Sequence, residues 1–145
     1  MRIGIISDIH EDYKSLKNAL SSIEKMNVDE VVCLGDIVGF NTKSFNYLER
    51  RDPANCIAAI RENCSIVVTG NHDLYAVRKT PVHDAGFNFT KNWYSLGYDE
   101  RKQRGGNHVW LYEDLELSAM LNTKDRTYLA SLPETATLKT DFSVE

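Results

Sequence analysis

Three short apolar segments, each followed directly by polar residues, constrain the fold more than any other feature of the sequence. They are residues 2–7 (RIGIIS), 30–34 (EVVCL) and 65–68 (SIVV). Apolar runs of this length that are rich in β-branched residues are typical of buried strands. The segments between them have the features of helices, so strands and helices alternate. This alternation predicts βαβ units, a parallel sheet and an α/β fold.

Both intervening segments carry helix start signals and an apolar side. Residues 11–27 have apolar positions at helical spacing, which are Leu16, Ala19, Leu20 and Ile23. Such spacing predicts an amphipathic helix, for which Asp12 is the expected N-cap and Asn27 the expected stop. Asp52 followed by Pro53 is a good start for the second helix. Its expected inner face consists of Ile57 and Ile60.

Residues 74–133 contain no comparable apolar run, and we interpret them as a helical insertion packed on the sheet. Helices are expected at three places within it: 87–98, 110–121 and 123–132. The last of them should stop at Pro133. Residues 136–140 and 142–145 look like strands joined by a turn. The chain as a whole, 1–145, is expected to form one domain, because its length suits a single hydrophobic core.

Composition limits the classes of partner. The chain has 17 basic and 21 acidic residues and a net charge of −4, so it lacks the basic excess of a general nucleic-acid binder. It has no apolar segment near the ~20 residues that a membrane span needs. Three cysteines without CxxC spacing indicate reduced thiols and a cytoplasmic protein.

Aromatic residues are concentrated at positions 87–98, where the sequence has Phe87, Phe89, Trp93, Tyr94 and Tyr98. We interpret this cluster as packing between the insertion and the sheet. A base-stacking surface is the alternative, which the lack of a basic background disfavours.

Polar motifs follow the three predicted strands, each at the point where the strand ends. They are Asp8-Ile9-His10, Gly35-Asp36 and Gly70-Asn71-His72-Asp73. Ligand sites of open parallel sheets form beyond the carboxyl ends of the strands, so we expect the motifs to meet at one edge. Mixed carboxylate, imidazole and amide donors suit Mn²⁺, Fe or Zn²⁺. The two oxygens of Asp36 can bridge a pair of such ions.

The ordered set SDIH, LGD and TGNHD resembles the calcineurin-like metallophosphoesterases, whose pattern runs DxH, GD and then GNH followed by Asp or Glu. Residues 128–134 (YLASLPE) resemble the bacterial branch that carries a helical insertion after GNHD. The resemblance implies the N-terminal half of that family's α/β sandwich, a mostly parallel sheet flanked by helices. It also implies a phosphoester hydrolase with two divalent transition metal ions and a metal-bound hydroxide.

The same resemblance assigns metal ligands residue by residue. Asp8 and His10 match the ligands of the first metal, and Asp36 matches the carboxylate that bridges both. Asn71 matches the ligand of the second metal, which it binds through its amide oxygen. Mn, Fe and Zn all remain candidates for these ions.

Catalytic and substrate-binding roles follow in the same way. His72 would contact the phosphate and assist the leaving group, and Asp73 would orient His72. Asn71 would also face the substrate, which is expected to be a small phosphate ester or a nucleotide. Arg50 and Arg51 follow the second strand and are candidates for phosphate contact, since Arg can bind phosphate with two hydrogen bonds.

The chain departs from the family pattern after the insertion. The family completes its site with a later His and a GHxH motif, whereas the last histidine here is His108. His83 and His108 are expected to be structural or surface histidines rather than substitutes. We therefore expect a fragment of a longer protein with one face of its sheet uncovered. The alternative function is a non-catalytic or partner-dependent fragment that self-associates through that face.

Overall fold

The computed structural model of the chain describes residues 1–83 and 86–139. Strands and helices alternate along the first half, as the sequence predicts. In chain order the elements are β1 (Ile3–Ile6), α1 (Tyr13–Lys25), β2 (Glu30–Cys33), β3 (Phe40–Asn41), α2 (Pro53–Asn63), β4 (Ile66–Val67), α3 (Asn71–Ala76), α4 (Tyr98–Gly105), β5 (Glu116–Leu117) and α5 (Thr123–Ser131). Short 3₁₀ helices lie at Leu48–Arg50, Trp93–Ser95 and Tyr112–Asp114.

The main sheet has the strand order β1-β2-β4 and is parallel throughout. Its register pairs Ile6 with Cys33 and Cys33 with Val67. All three strands therefore end at the same edge, and the α/β expectation is confirmed. A separate two-stranded antiparallel sheet joins β3 to β5 and pairs Asn41 with Glu116.

The two helices of the first half begin where the sequence indicates. The backbone N–H of Ser15 donates to the Asp12 carboxylate at 3.0 Å, and Asp52 caps α2 in the same way. These bonds satisfy N–H groups that have no partner within the helix. Leu16 is buried in the core as expected, but Ala19 is exposed and does not belong to the inner face of α1.

Helices cover one face of the main sheet and leave apolar residues exposed on the other. On the covered face, a Cβ placed on Gly4 would lie 2.9 Å from the Ile23 side chain of α1. On the other face, Ile5 is 61% and Leu34 is 49% exposed. Because side chains alternate along a strand, this division follows from the register. The expectation of an uncovered face is confirmed for the described residues.

The sequence predicted one element of the region 74–133 correctly and another wrongly. Helix α5 lies within the expected segment 123–132 and is capped by Asn122. The helix expected at 110–121 is wrong, because Tyr112–Asp114 forms a 3₁₀ turn and Glu116–Leu117 forms strand β5. Strand β5 is held by pairing with residues far away in the chain, and such pairing overrides local propensity.

Other expectations need smaller corrections. In the segment 87–98 the structure has a 3₁₀ turn at Trp93–Ser95, and α4 begins only at Tyr98 after Gly97. Residues 136–139 are not in a strand, and the remainder of the two predicted strands lies outside the described residues. None of the described helices has the length and apolar character needed to cross a bilayer.

Candidate metal centre

Three of the motif residues meet at the carboxyl edge of the parallel sheet. His10 follows β1, Asp36 follows β2, and His72 lies in the first turn of α3 just after β4. Each offers one ligand atom, and these atoms all lie within 4.8 Å of one another. One metal ion can reach donors at such separations, because the bonds to it would each be about 2.0–2.3 Å long.

Asp8 and Asn71 flank this triad. The Asp8 carboxylate lies 3.8 Å from His10 Nε2, and its side chain is 70% exposed. The amide nitrogen of Asn71 donates to the hydroxyl of Tyr112 at 2.7 Å. That bond uses the nitrogen and leaves the ligand capacity of the amide oxygen intact.

Left-handed backbone conformations are concentrated at the motifs. The φ angles are +54° at Asp8, +47° at His10, +70° at Glu11 and +52° at Asp36. Non-glycine residues rarely adopt this region, and each such residue costs about 1–3 kcal/mol. The loops are held there by hydrogen bonds between them: the N–H groups of Ile9 and His10 both donate to the Asp36 carbonyl, at 2.9 and 3.0 Å. Strain of this kind marks candidate functional sites.

Two glycines let the second and third loops touch. A Cβ on Gly35 would lie 2.1 Å from the Gly70 nitrogen, and Gly35 has a φ of +91°. A Cβ on Gly70 would lie 2.1 Å from an Asp36 carboxylate oxygen. Any side chain at either position would force the loops apart. The glycines of the GD and GNHD motifs are thus needed to bring Asp36 next to His72.

Hydrogen bonding fixes the tautomer of His10. Its Nδ1 lies 2.8 Å from the carbonyl oxygen of Gly39, and the ring is buried. A carbonyl only accepts, so Nδ1 must carry the proton, and Nε2 of the neutral ring presents its lone pair. Nε2 is the atom that faces Asp8.

His72 is held by a carboxylate that the sequence did not reveal. Its Nδ1 lies 2.5 Å from Glu116 Oε2, and the Glu116 side chain is buried. Its backbone N–H donates to Asp36 at 2.9 Å. Burial alone would lower the pKa of His72, but the hydrogen bond and charge of Glu116, together with Asp36 and Asp73, raise that pKa above its usual value.

Asp73 does not make the contact expected of it. Its carboxylate accepts backbone N–H groups from Ile37 at 2.9 Å, Val38 at 3.0 Å and Gly70 at 3.0 Å. Burial raises the pKa of Asp73 to about 6, against the opposing effect of these hydrogen bonds. Asp73 therefore ties the loops together, and Glu116 makes the orienting contact with His72.

Arg51 is also committed elsewhere. Its Nε donates to Glu11 at 2.6 Å, and both side chains are buried. The other oxygen of the Glu11 carboxylate accepts the N–H of Gly39 at 3.1 Å. A guanidinium paired in this way supports the loops, and the expected substrate contact of Arg51 stays a prediction.

Arg50 lies on a different part of the surface. It is exposed, stacks over the Tyr47 ring at 5.7 Å, and lines a shallow depression with Lys14 and Lys17. No triad residue lines that depression.

His83 and His108 line a neighbouring cleft instead of joining the triad. His83 Nδ1 lies 2.5 Å from Glu134 Oε2. In the part of the chain that the structure describes, neither histidine belongs to a group that could hold a metal.

The residues of the triad fit a metal ion. Two imidazoles and one carboxylate form a donor set typical of Zn²⁺, Mn²⁺ or Fe. His10 and His72 each bond through Nδ1 to an acceptor, a carbonyl and a carboxylate respectively. Partners of this type orient metal-ligating histidines in known sites. The class defined by fold and site is therefore an α/β protein with a candidate metal site at the sheet edge.

Comparison with known proteins agrees with this class. The family described as calcineurin-like phosphoesterase matches residues 1–138, and the chain belongs to that family. The resemblance seen in the sequence motifs is thereby confirmed.

Similar proteins extend well beyond the length of this chain. An uncharacterized protein of Methanocaldococcus jannaschii is 35% identical over 71 residues, which are 49% of this chain and 26% of that protein. The crystal structure of a metallophosphoesterase from Sphaerobacter thermophilus is similar with a TM-score of 0.53 and 26% identity, over 92% of this chain and 42% of that one. The matched part of this chain thus covers about a quarter of the Methanocaldococcus protein and about two fifths of the Sphaerobacter protein.

Proposed function

We propose that this chain carries the metal- and phosphate-binding half of a metal-dependent phosphoester hydrolase. The observation that supports this most is the convergence of His10, Asp36 and His72 within 4.8 Å at the edge of a parallel sheet. The family to which the chain belongs supports the reaction class.

The proposed centre contains two divalent ions of Mn, Fe or Zn. Asp8 and His10 would hold the first, Asn71 would hold the second, and Asp36 would contribute one oxygen to each. Such ions supply positive charge that stabilises the phosphoryl group during an in-line displacement. The strained loops hold these side chains in place before any substrate arrives.

His72 has the proposed role of contacting the phosphate and protonating the leaving group. Glu116 keeps its Nδ1 occupied, so that Nε2 is the atom presented to the ligand. Because the net charge of −4 repels anions at long range, attraction of a phosphate has to be local. The proposed substrates are accordingly small phosphate esters or nucleotides.

The free cysteines Cys33, Cys56 and Cys64 support a cytoplasmic location.

Metal analysis and a hydrolysis assay test the proposal together. Purified chain is dialysed with Mn²⁺ or Zn²⁺, its metal content is measured, and hydrolysis of p-nitrophenyl phosphate and bis-p-nitrophenyl phosphate is followed. Hydrolysis that depends on the metal and is lost in His72→Ala supports the proposal. Stoichiometric metal without turnover favours the second candidate function.

That second candidate is a partner-dependent fragment without turnover of its own. It is favoured by the exposure of Ile5 and Leu34 on the uncovered sheet face. It predicts self-association that Ile5→Lys weakens. Met26→Lys, at an exposed residue following α1, is the matched control. A wild-type chain that sediments as a monomer in a sedimentation-velocity experiment would contradict this candidate.

A further inference from the structure

A cleft of about 420 Å³ adjoins the triad, and Asp36, Gly70 and Asn71 line one end of it. Its remaining wall comes largely from the region 74–133. The aromatic residues among the lining are Phe87, Phe89, Trp93, Tyr94, Trp110 and Tyr112. Its volume falls in the range of about 300–1,000 Å³ that small-molecule sites occupy.

The aromatic wall begins at the triad itself. The Tyr112 ring lies 4.9 Å from the His72 ring, and its hydroxyl accepts the hydrogen bond from Asn71. Tyr75 also packs against the Tyr112 ring, with the ring centroids 4.9 Å apart. Tyr112 is therefore fixed by three neighbours and gives the cleft a rigid aromatic surface beside the metal-binding end.

The two tryptophans of the cleft have different environments. Trp93 is 2% exposed and packs edge to face against Phe87 and Phe89. These contacts lie within the region 74–133, and packing of the cluster against the sheet stays a prediction. Trp110 is 62% exposed. Among the ring contacts of the described residues, none involves Trp110. An exposed indole that lines a cleft without a ring partner has a face available for a ligand.

Hydrogen-bonding groups accompany the rings. His83, His108 and Glu134 line the same cleft, so that donors and acceptors stand beside aromatic faces. His83 and Glu134 bond to each other, and a heteroaromatic ring can stack on the aromatic faces and also bond at its edge to polar groups of this wall.

We propose that this cleft binds the organic group of the substrate, and that this group carries a planar heteroaromatic ring such as a nucleobase. The proposal rests on the proposed function, because the triad is taken as the position of the phosphate. Trp110 supplies the stacking face, and Tyr112 separates the ring from the metal ligands. The specificity of the site then lies in the region 74–133, and the reaction centre lies in the strand-end loops.

The test compares two ligands that differ only in the base. Adenosine 5′-monophosphate and ribose 5-phosphate carry the same sugar and phosphate, so their affinities isolate the ring. Binding is measured by calorimetry in the presence of Mn²⁺ and by tryptophan fluorescence. Base stacking on an aromatic side chain is worth roughly a tenfold change in affinity or more. We expect the nucleotide to bind at least about tenfold more tightly and to quench Trp110 emission.

Two variants of Trp110 distinguish the effect of ring stacking from the effect of apolar side-chain volume. Trp110→Phe keeps a planar ring and should keep most of the preference, while Trp110→Leu keeps apolar volume and should reduce it to within about threefold. In Trp110→Leu the remaining emission comes from the buried Trp93, and nucleotide quenching should disappear. Because Trp110 is exposed, both variants should keep the wild-type melting temperature.

Equal affinity for the two ligands, failure of both to bind, or a preference that survives Trp110→Leu would each overturn the inference. Calorimetry with Mn²⁺ alone, on the same samples, reports on the proposed function. Metal binding without a base preference contradicts the cleft proposal and leaves the metal centre intact. Absence of metal binding counts against the proposed function itself.

Discussion

The Nδ1 of His72 and the Oε2 of Glu116 lie 2.5 Å apart, although the two residues are 44 positions apart in sequence. Pairing of β5 with β3 brings them together, because it places Glu116 opposite Asn41. The region that follows the GNHD motif thus contributes a buried carboxylate to the centre. His72 has its tautomer set by this region rather than by the adjacent Asp73.

Replacement of Glu116 should weaken the centre in two steps. Glu116→Gln keeps an acceptor for the Nδ1 proton but removes the charge, and Glu116→Ala removes both. Loss of a carboxylate partner of a site histidine typically costs about 10–100-fold in metal affinity or activity. We expect Glu116→Ala to fall in that range and Glu116→Gln to retain more function, as measured by calorimetry with inorganic phosphate in the presence of Mn²⁺, because His72 is the proposed phosphate contact. Glu100→Gln, on the exposed side of α4, is the control and should match wild type. Equal affinities in wild type and all three variants would refute the orienting role of Glu116.

Replacement of Asp73 should destabilise the fold. Its two oxygens accept three backbone N–H groups, and Asp73→Asn would turn an NH₂ group towards at least one of these donors. A buried donor left unsatisfied costs about 1–3 kcal/mol. The midpoint of urea denaturation should therefore fall in Asp73→Asn and fall further in Asp73→Ala. An unchanged midpoint would mean that the loops do not depend on this carboxylate. Asp99→Asn, an exposed residue, is the control.

Replacement of Gly70 tests the close approach of the loops. The added methyl group of Gly70→Ala would meet an Asp36 oxygen at 2.1 Å. Forced overpacking costs about 1–3 kcal/mol, and displacement of Asp36 should also lower metal affinity. Gly97→Ala is the matched control, because a Cβ there meets no atom within 4 Å. Thermal unfolding of both variants should separate them by several degrees, and similar melting temperatures would contradict the packing account.

The cysteines give a prediction about pH. Burial raises the pKa of Cys56 to about 12 and that of Cys64 to about 11. The unfolded chain has thiols near the ordinary value of about 8.5, so folding holds their protons more tightly. This contribution to stability is complete below about pH 8.5 and is lost as the pH rises towards 11–12.

Alkylation measures the same effect. With iodoacetamide at pH 8, the native chain should react slowly and the urea-unfolded chain rapidly, since the thiolate is the nucleophile. Cys64, which is only partly buried, should react before Cys56. Rapid labelling of Cys56 in the native state would contradict its burial.

Local signals in the sequence predicted the part of the fold that local interactions determine. The three apolar runs and the caps at Asp12 and Asp52 define the parallel sheet and its helices. Because parallel strands end at one edge of the sheet, the position of each motif directly after a strand was enough to predict that His10 and Asp36 lie together.

Contacts between distant segments were not accessible in this way. The apolar residues of 110–121 fit a helix by local spacing, and only pairing with Phe40–Asn41 makes Glu116–Leu117 a strand. Glu116 was missed for that reason. The pairing of Arg51 with Glu11 was missed too, because Glu11, 40 positions earlier, shows no sequence signal beyond its place directly after His10.

Metal stoichiometry in wild type and Asp36→Ala tests the central claim most directly. The wild-type chain, loaded with Mn²⁺ or Zn²⁺ and freed of excess ion, should retain at least one ion per chain, while Asp36→Ala should retain almost none. Asp99→Ala controls for the loss of one charge. Wild-type chain that retains no metal, or Asp36→Ala that retains as much as wild type, would contradict a metal centre at the meeting point of the three strand ends.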